Sequence, residues 1–164
     1  MVEALPDATV HRMRHYRKDR LLQMMQELDI PTLLIYDPVS IRYATDSRNV
    51  QVYALNHECR YLFMAADGTT ELFDWVAGHD AYHGHLDTID AVHVARPVGF
   101  MSDGVDNFDT SLREWAEQIE SLIRRTSPDD LRVGIDRLSH FQAVELERRG
   151  IRVIDGHPPL YRAR

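Results

Sequence analysis

The residues of this 164-residue chain with the most obvious chemical potential lie in Gly78-His79-Asp80-Ala81-Tyr82-His83-Gly84-His85. His79 and His83 are four apart, which on a helix turns two imidazoles to one face, and His85 or Asp80 would add a ligand for a divalent metal. Zinc-peptidase chemistry also wants a Glu beside the first His, and position 80 is Asp. Gly78 and Gly84 weaken the helix that would set the geometry. Solvated surface histidines are the ordinary condition, so the sequence assigns no metal ligand. It keeps His79, His83 and His85 as the candidates for a small His-based metalloenzyme.

Two further groups carry chemistry. Asp103, Asp106 and Asp109 recur every third residue, a spacing unlike the Asp-x-Asp-x-Asp-Gly calcium loop, and Asp109 is better used as a helix N-cap. Arg48, Gln51, Tyr53, His57, Glu58 and Arg60 combine cations, aromatic and imidazole groups in one long connection, a set suited to gripping a small anion or covering a neighbour's pocket. A polar loop is polar for solubility most of the time. No G-x-S-x-G elbow, P-loop or G-x-G-x-x-G is present. The lone Cys59 cannot close an internal disulfide and reads as a small buried hydrophobe.

The elements that must position these groups belong to one domain, because a chain of this length buries roughly 70% of its unfolded surface. A net charge of −7 excludes general nucleic-acid binding, and among 19 basic residues only Lys18 is lysine. No apolar run approaches the roughly 18 residues of a membrane span, and the N-terminal residues lack a signal peptide's apolar core. A cytoplasmic protein without membrane or nucleic-acid partners is expected.

After an N-terminal arm, residues 1–9, the stripe Met13, Leu21, Met24 and Leu28 predicts a long amphipathic helix over 10–28. Its face of Arg12, Arg14, Arg17, Lys18 and Arg20 reads as solvated. The run Leu33 to Tyr36, bounded by Pro31 and Pro38, predicts a buried strand, followed by a short helix-like turn with Ile41 and Tyr43. Residues 60–66 and 70–75 around Asp67-Gly68 predict a β-hairpin. Residues 90–95 predict a further strand and 97–108 a loop, before a helix starting at Asp109 and ending at Ser127-Pro128. A strand at 132–136, a helix opened by the Ser139/Gln142 capping box and closed by Gly150, and a strand at 151–155 complete the order. This alternation predicts a three-layer α/β domain, a mixed parallel and antiparallel sheet of about six strands with helices on both faces.

The Arg-bearing helix RKDRLLQMMQELDI, the strand ending in Asp37-Pro38, Ile41, Tyr43 and Thr45 beyond it, and RYLFMAADG with LFDW together resemble the N-terminal domain of the creatinase, prolidase and aminopeptidase P enzymes. The chain departs at Asp29 and Asp46, where that family commonly has Gly. The Arg48 to Arg60 stretch is more similar to the creatinase-like branch that includes bacterial dimethylsulfoniopropionate lyases.

The resemblance implies a ribonuclease-H-like domain over 10–157, with 158–164 starting a linker to a C-terminal catalytic domain of pita-bread fold. In that second domain two Asp, one His and two Glu bind divalent metal ions (Mn, Zn, Co or Fe). It implies a chain that is not catalytic by itself, forms homodimers and reaches the partner's active site with the Arg48 to Arg60 loop. Arg48, Tyr53 and His57 would face substrate, and Arg42 and Tyr43 would be structural. A freestanding binding or regulatory module of the same fold is the alternative.

Overall fold

A central strand with no solvent-facing side dictates the architecture. In the computed structural model, which describes residues 7–48, 59–75 and 86–164, all four residues of β1 (Thr32–Ile35) are buried. Such a strand needs a helical layer on each face. The first helix, α1 (Asp7–Glu27), begins three residues before the expected start. Beyond β1 come α2 (Pro38–Thr45), the hairpin β2 (Tyr61–Ala65) and β3 (Thr70–Asp74), then β4 (Ala91–Val94). They are followed by α3 (Phe100–Thr126), β5 (Arg132–Ile135), α4 (His140–Arg148), β6 (Arg152–Asp155) and α5 (His157–Ala163).

The strands form one six-stranded sheet in the order β4-β3-β2-β1-β5-β6. β1 runs antiparallel to β2 and parallel to β5, and the outer pairs β3-β4 and β5-β6 are parallel. Alternation along each strand sorts the core into two layers. Leu34, Tyr61 and Phe63 face α3 and α4 through Trp115, Ile119 and Leu146. Leu33, Ile35, Leu62 and Met64 face α1, α2 and α5 through Leu21, Met25, Ile41 and Leu160. Residues 158–164, expected to begin a linker, lie largely within α5, which buries Leu160 and Ala163 against the core. Among the described residues no helix is long and apolar enough to cross a membrane.

The expected loop over 97–108 is mostly helix, and Asp109 is not a cap. Helix α3 starts at Phe100 behind Gly99, and Gly104 (φ 71°, ψ 167°) kinks it after one turn. Two glycines and several polar residues imitate a loop, but Phe108 and Leu112 extend the buried stripe of Trp115 and Ile119 upstream. The Asp103 carboxylate accepts the Gly99 amide at 3.0 Å, so it stabilises the start of the helix.

The exit of β1 is held by carboxylates. Asp136, at the end of β5, accepts the amides of Tyr36 (2.8 Å) and Asp37 (2.9 Å), and burial pushes its carboxyl upward. Asp37 caps α2. Burial would raise its carboxyl, but hydrogen bonds from the Ser40 hydroxyl and from the amides of Ser40 and Val39 outweigh that and hold it below its usual range. A close approach seals the same end of the sheet: a Cβ on Gly156 would lie 2.7 Å from the Ile135 nitrogen and 2.9 Å from the Gly134 carbonyl carbon.

Two stability predictions follow from this end of the sheet. Because backbone atoms oppose the added methyl, Gly156→Ala is expected to destabilise the fold by about 1–3 kcal/mol. An unchanged urea midpoint would refute the contact. For Asp37, a folded pKa below the unfolded one means stability present above the unfolded value and lost as pH falls through the folded one. Asp37→Ala should therefore lose about 1 kcal/mol at pH 7. The gap to the parent should close as pH falls below about 4; a gap constant down to acid pH would sink the assignment.

Candidate functional site

The two stems of the connection between α2 and β2 meet on a single buried guanidinium. Asp46 ends α2 in the left-handed region (φ 62°), with its amide bonded to the Arg42 carbonyl. The Thr45 hydroxyl donates to the Ile41 carbonyl at 2.7 Å and accepts the Ser47 amide at 3.0 Å, which turns the chain inward. From the other stem Arg60, only 2% exposed, donates Nε–H to Asp74 Oδ2 at 2.8 Å and another N–H to the Ser47 hydroxyl. Asp74 Oδ1 accepts the Trp75 amide, so the same carboxylate also fixes the end of β3.

Burial drives the Arg60 pKa down and Asp74 opposes that shift. The Arg60 Nη1 atom is buried without a hydrogen-bond partner among the described residues. This corrects the expectation that Arg60 belongs to an anion-gripping set: it is a buried clamp that ties Ser47 to Asp74. Cys59 beside it is buried, and desolvation pushes its thiol upward, so it is a poor nucleophile.

Of the residues expected to face substrate, Arg48 is exposed directly after the buried Ser47. Tyr53 and His57 lie outside the described residues, as do Gln51 and Glu58. So do His79, His83 and His85. Trp75 and Val94, each 58% exposed, stand at the same end of β3 and β4, beside Asp74 and therefore beside the loop's stem.

The basic face of α1 is not simply solvated, a second correction. Arg14 Nε donates to Asp46 Oδ2 at 2.9 Å and Lys18 Nζ to the Thr88 carbonyl at 3.2 Å. The Thr88 hydroxyl in turn donates to the Thr45 carbonyl at 2.8 Å. Positions 11, 14, 15 and 18 form one stripe at three- and four-residue spacing. His11 and His15, the remaining members, both reach Asp87. The stripe thereby joins α1 to the end of α2 and to the turn before β4. On the flank, Arg17 lies 5.8 Å over the Tyr43 ring, and the Tyr43 hydroxyl donates to the Ala163 carbonyl, a structural role as expected.

A cavity of about 540 Å³ opens on the opposite layer, lined by His93, Arg96, Asp103, Ser111, Glu114 and Gln118 among others. Arg96 and Glu114 pair across it at 2.9 Å. Beside it Glu71 holds His93 at 2.8 Å and also pairs with Arg125.

Asp103, Asp106 and Asp109 do not converge as metal ligands; the described residues that do are His11, His15 and Asp87. The two-metal centre implied by the resemblance takes two Asp, one His and two Glu, so the described residues do not fit that centre. The 11/15 pair was legible as an i, i+4 histidine pair, whereas its carboxylate comes from 72 residues downstream.

No family model matches the chain. It is 29% identical over 156 residues to dimethylsulfoniopropionate lyase DddP of Roseovarius nubinhibens, which covers 93% of this chain and 33% of that protein. In structure it is similar to an Xaa-Pro aminopeptidase of Streptococcus pyogenes, with a TM-score of 0.61 at 16% identity over 93% of this chain and 98% of that one. It is also similar to the N-terminal domain of cytoplasmic peptidase PepQ of Mycobacterium tuberculosis, with a TM-score of 0.56 at 14% identity over 90% and 98% of the two chains. The fold is that of the creatinase and prolidase type N-terminal domain, as the sequence resemblance implies. The chain spans about a third of the length of the curated relatives it matches.

The Arg60 clamp yields a prediction. Asp74→Ala leaves a buried cation without its counter-charge and is expected to cost about 3–5 kcal/mol. Replacing both partners, Arg60→Met with Asp74→Leu, should recover most of that loss in chemical denaturation. If the double variant is as unstable as Asp74→Ala alone, the pair does not act as a unit.

Proposed function

We propose that this chain is a non-catalytic N-terminal domain of a longer metal-dependent enzyme of the creatinase and prolidase type. The observation that carries the reading is the pattern of coverage. The similarity runs over 93% of this chain but 33% of the lyase, while the same fold accounts for 98% of a separately determined N-terminal domain. Catalysis and the divalent metal ions then belong to the remaining part of the parent protein. The kinship in sequence favours a lyase acting on a small sulfonium carboxylate, as the relatives' name describes, over a peptidase.

In this reading the domain contributes dimer contacts and lends the Arg48 to Arg60 loop, whose end at Cys59 and Arg60 is buried, to the partner subunit's active site. Arg48, Tyr53 and His57 are the groups that meet substrate. The support within this chain is mechanical. Both stems of the loop are fixed to β3 through Arg60, Asp74 and Ser47, so its tip can be aimed from a rigid base. An Arg in such a loop suits a carboxylate, which it binds through paired N–H donors. The exposed Trp75 and Val94 beside the stem provide apolar area for a subunit contact.

The test uses the full-length parent. Arg48→Ala, Tyr53→Ala and His57→Ala should each lower kcat/KM by roughly tenfold or more, about 1.4 kcal/mol, with unchanged melting temperature. Mixing a loop variant with a catalytic-domain variant should restore part of the activity if the loop acts across the dimer. Three loop variants with parental kinetics would overturn the substrate-facing assignment, and a monomeric active parent would overturn the action across subunits.

A further inference from the structure

His11 and His15 lie one turn apart on α1, with ring centroids 4.4 Å apart. Both direct Nε2 at one oxygen of Asp87: His11 Nε2 is 2.6 Å and His15 Nε2 3.0 Å from Oδ2. All three ligand atoms lie within 4.8 Å of one another. From this geometry we propose that His11, His15 and Asp87 form a binding site for a borderline divalent metal ion, zinc in the first instance, which joins α1 to the turn before β4.

The chemistry of the donor set selects the ion. Two imidazoles and one carboxylate suit zinc, copper or nickel, whereas magnesium and calcium take oxygen ligands. Tetrahedral zinc holds His nitrogen and carboxylate oxygen at about 2.0–2.2 Å, which places ligands roughly 3.3 Å from one another. The two nitrogen-to-carboxylate separations, 2.6 and 3.0 Å, fall short of that by less than an ångström, and exposed side chains can open that far by small rotations. Solvent supplies the fourth ligand, since His11 and Asp87 are about half exposed.

Both sides of the site are held independently of the metal. The histidines sit on one face of a 21-residue helix. Asp87 lies between Leu86, 4% exposed, and Thr88, fully buried. Thr88 is bonded to the Thr45 carbonyl through its hydroxyl and to Lys18 through its carbonyl. The carboxylate is thus presented by an anchored turn. The adjacent cation Arg14 is turned to Asp46, which limits repulsion of an incoming ion.

The experiment is a calorimetric titration of the chelator-treated chain with zinc chloride, with magnesium chloride as the control. One equivalent of zinc is expected to bind, raise the melting temperature and be unmatched by magnesium. His11→Ala, His15→Ala and Asp87→Asn should each weaken binding, by roughly tenfold or more, as loss of a metal-site interaction does. Cobalt in place of zinc should show the absorption of a four-coordinate ion in the parent and lose it in the double variant His11→Ala/His15→Ala. Absence of stoichiometric zinc overturns the proposal. So does undiminished binding in the double variant, which would place the metal elsewhere on the chain. Melting of the metal-free variants shows whether each remains folded, and Asp87→Asn, which keeps shape and removes charge, decides the case if a histidine variant does not.

Discussion

β1 has no exposed residue, and the rest of the domain follows from that constraint. A strand covered on both sides cannot leave backbone or hydroxyl groups unsatisfied, because no water reaches them. Its edges are therefore paired with β2 and β5, and the Thr32 hydroxyl donates to the Arg132 carbonyl at 2.8 Å. Its exit amides go to Asp136 because no further strand residue is there to accept them. The helical layers are set by the same strand, since Leu34 and its neighbours Leu33 and Ile35 point in opposite directions.

Much of this was legible from local chemistry. The apolar run between two prolines, the Asp67-Gly68 turn with Gly68 at φ 99°, the Ser139/Gln142 box and Gly150 at φ 78° are each encoded within a few residues. The start of α3 was not, because its first turn is separated from the rest by Gly104, and a helix with a break reads as a loop. The role of α1's polar stripe was also hidden. Arg14, Lys18, His11 and His15 find their partners at Asp46, Thr88 and Asp87, and no spacing rule within the helix reports contacts that distant in sequence.

The departures from the related pattern, Asp29 and Asp46, have a common explanation. Both occupy the left-handed region, at φ 53° and 62°, where glycine is the easy residue. Asp is tolerated there because its short polar side chain bonds locally. Here each carboxylate does more: Asp29 pairs with Arg132 at 2.9 Å and Asp46 with Arg14 at 2.9 Å. The Asp29 pair is exposed on the carboxylate side and adds little. The Asp46 carboxylate is mostly buried, so it contributes more and links the end of α2 to α1. The departure at Asp46 thus gives up backbone ease for a tertiary contact at the mouth of the loop.

That contact bears on how the chain leaves the end of α2. The connection after Ser47 begins where three restraints converge: Arg14 on Asp46, Thr88 on Thr45 and Arg60 on Ser47. Arg60 is a costly device, since a desolvated guanidinium stabilises little beyond what its partners return. Apolar packing could close the same space at less risk. What apolar packing lacks is direction, whereas a planar fork bonded to Asp74 and Ser47 fixes both stems relative to β3. The buried pair therefore fixes Ser47, and with it the point at which the exposed Arg48 leaves the core.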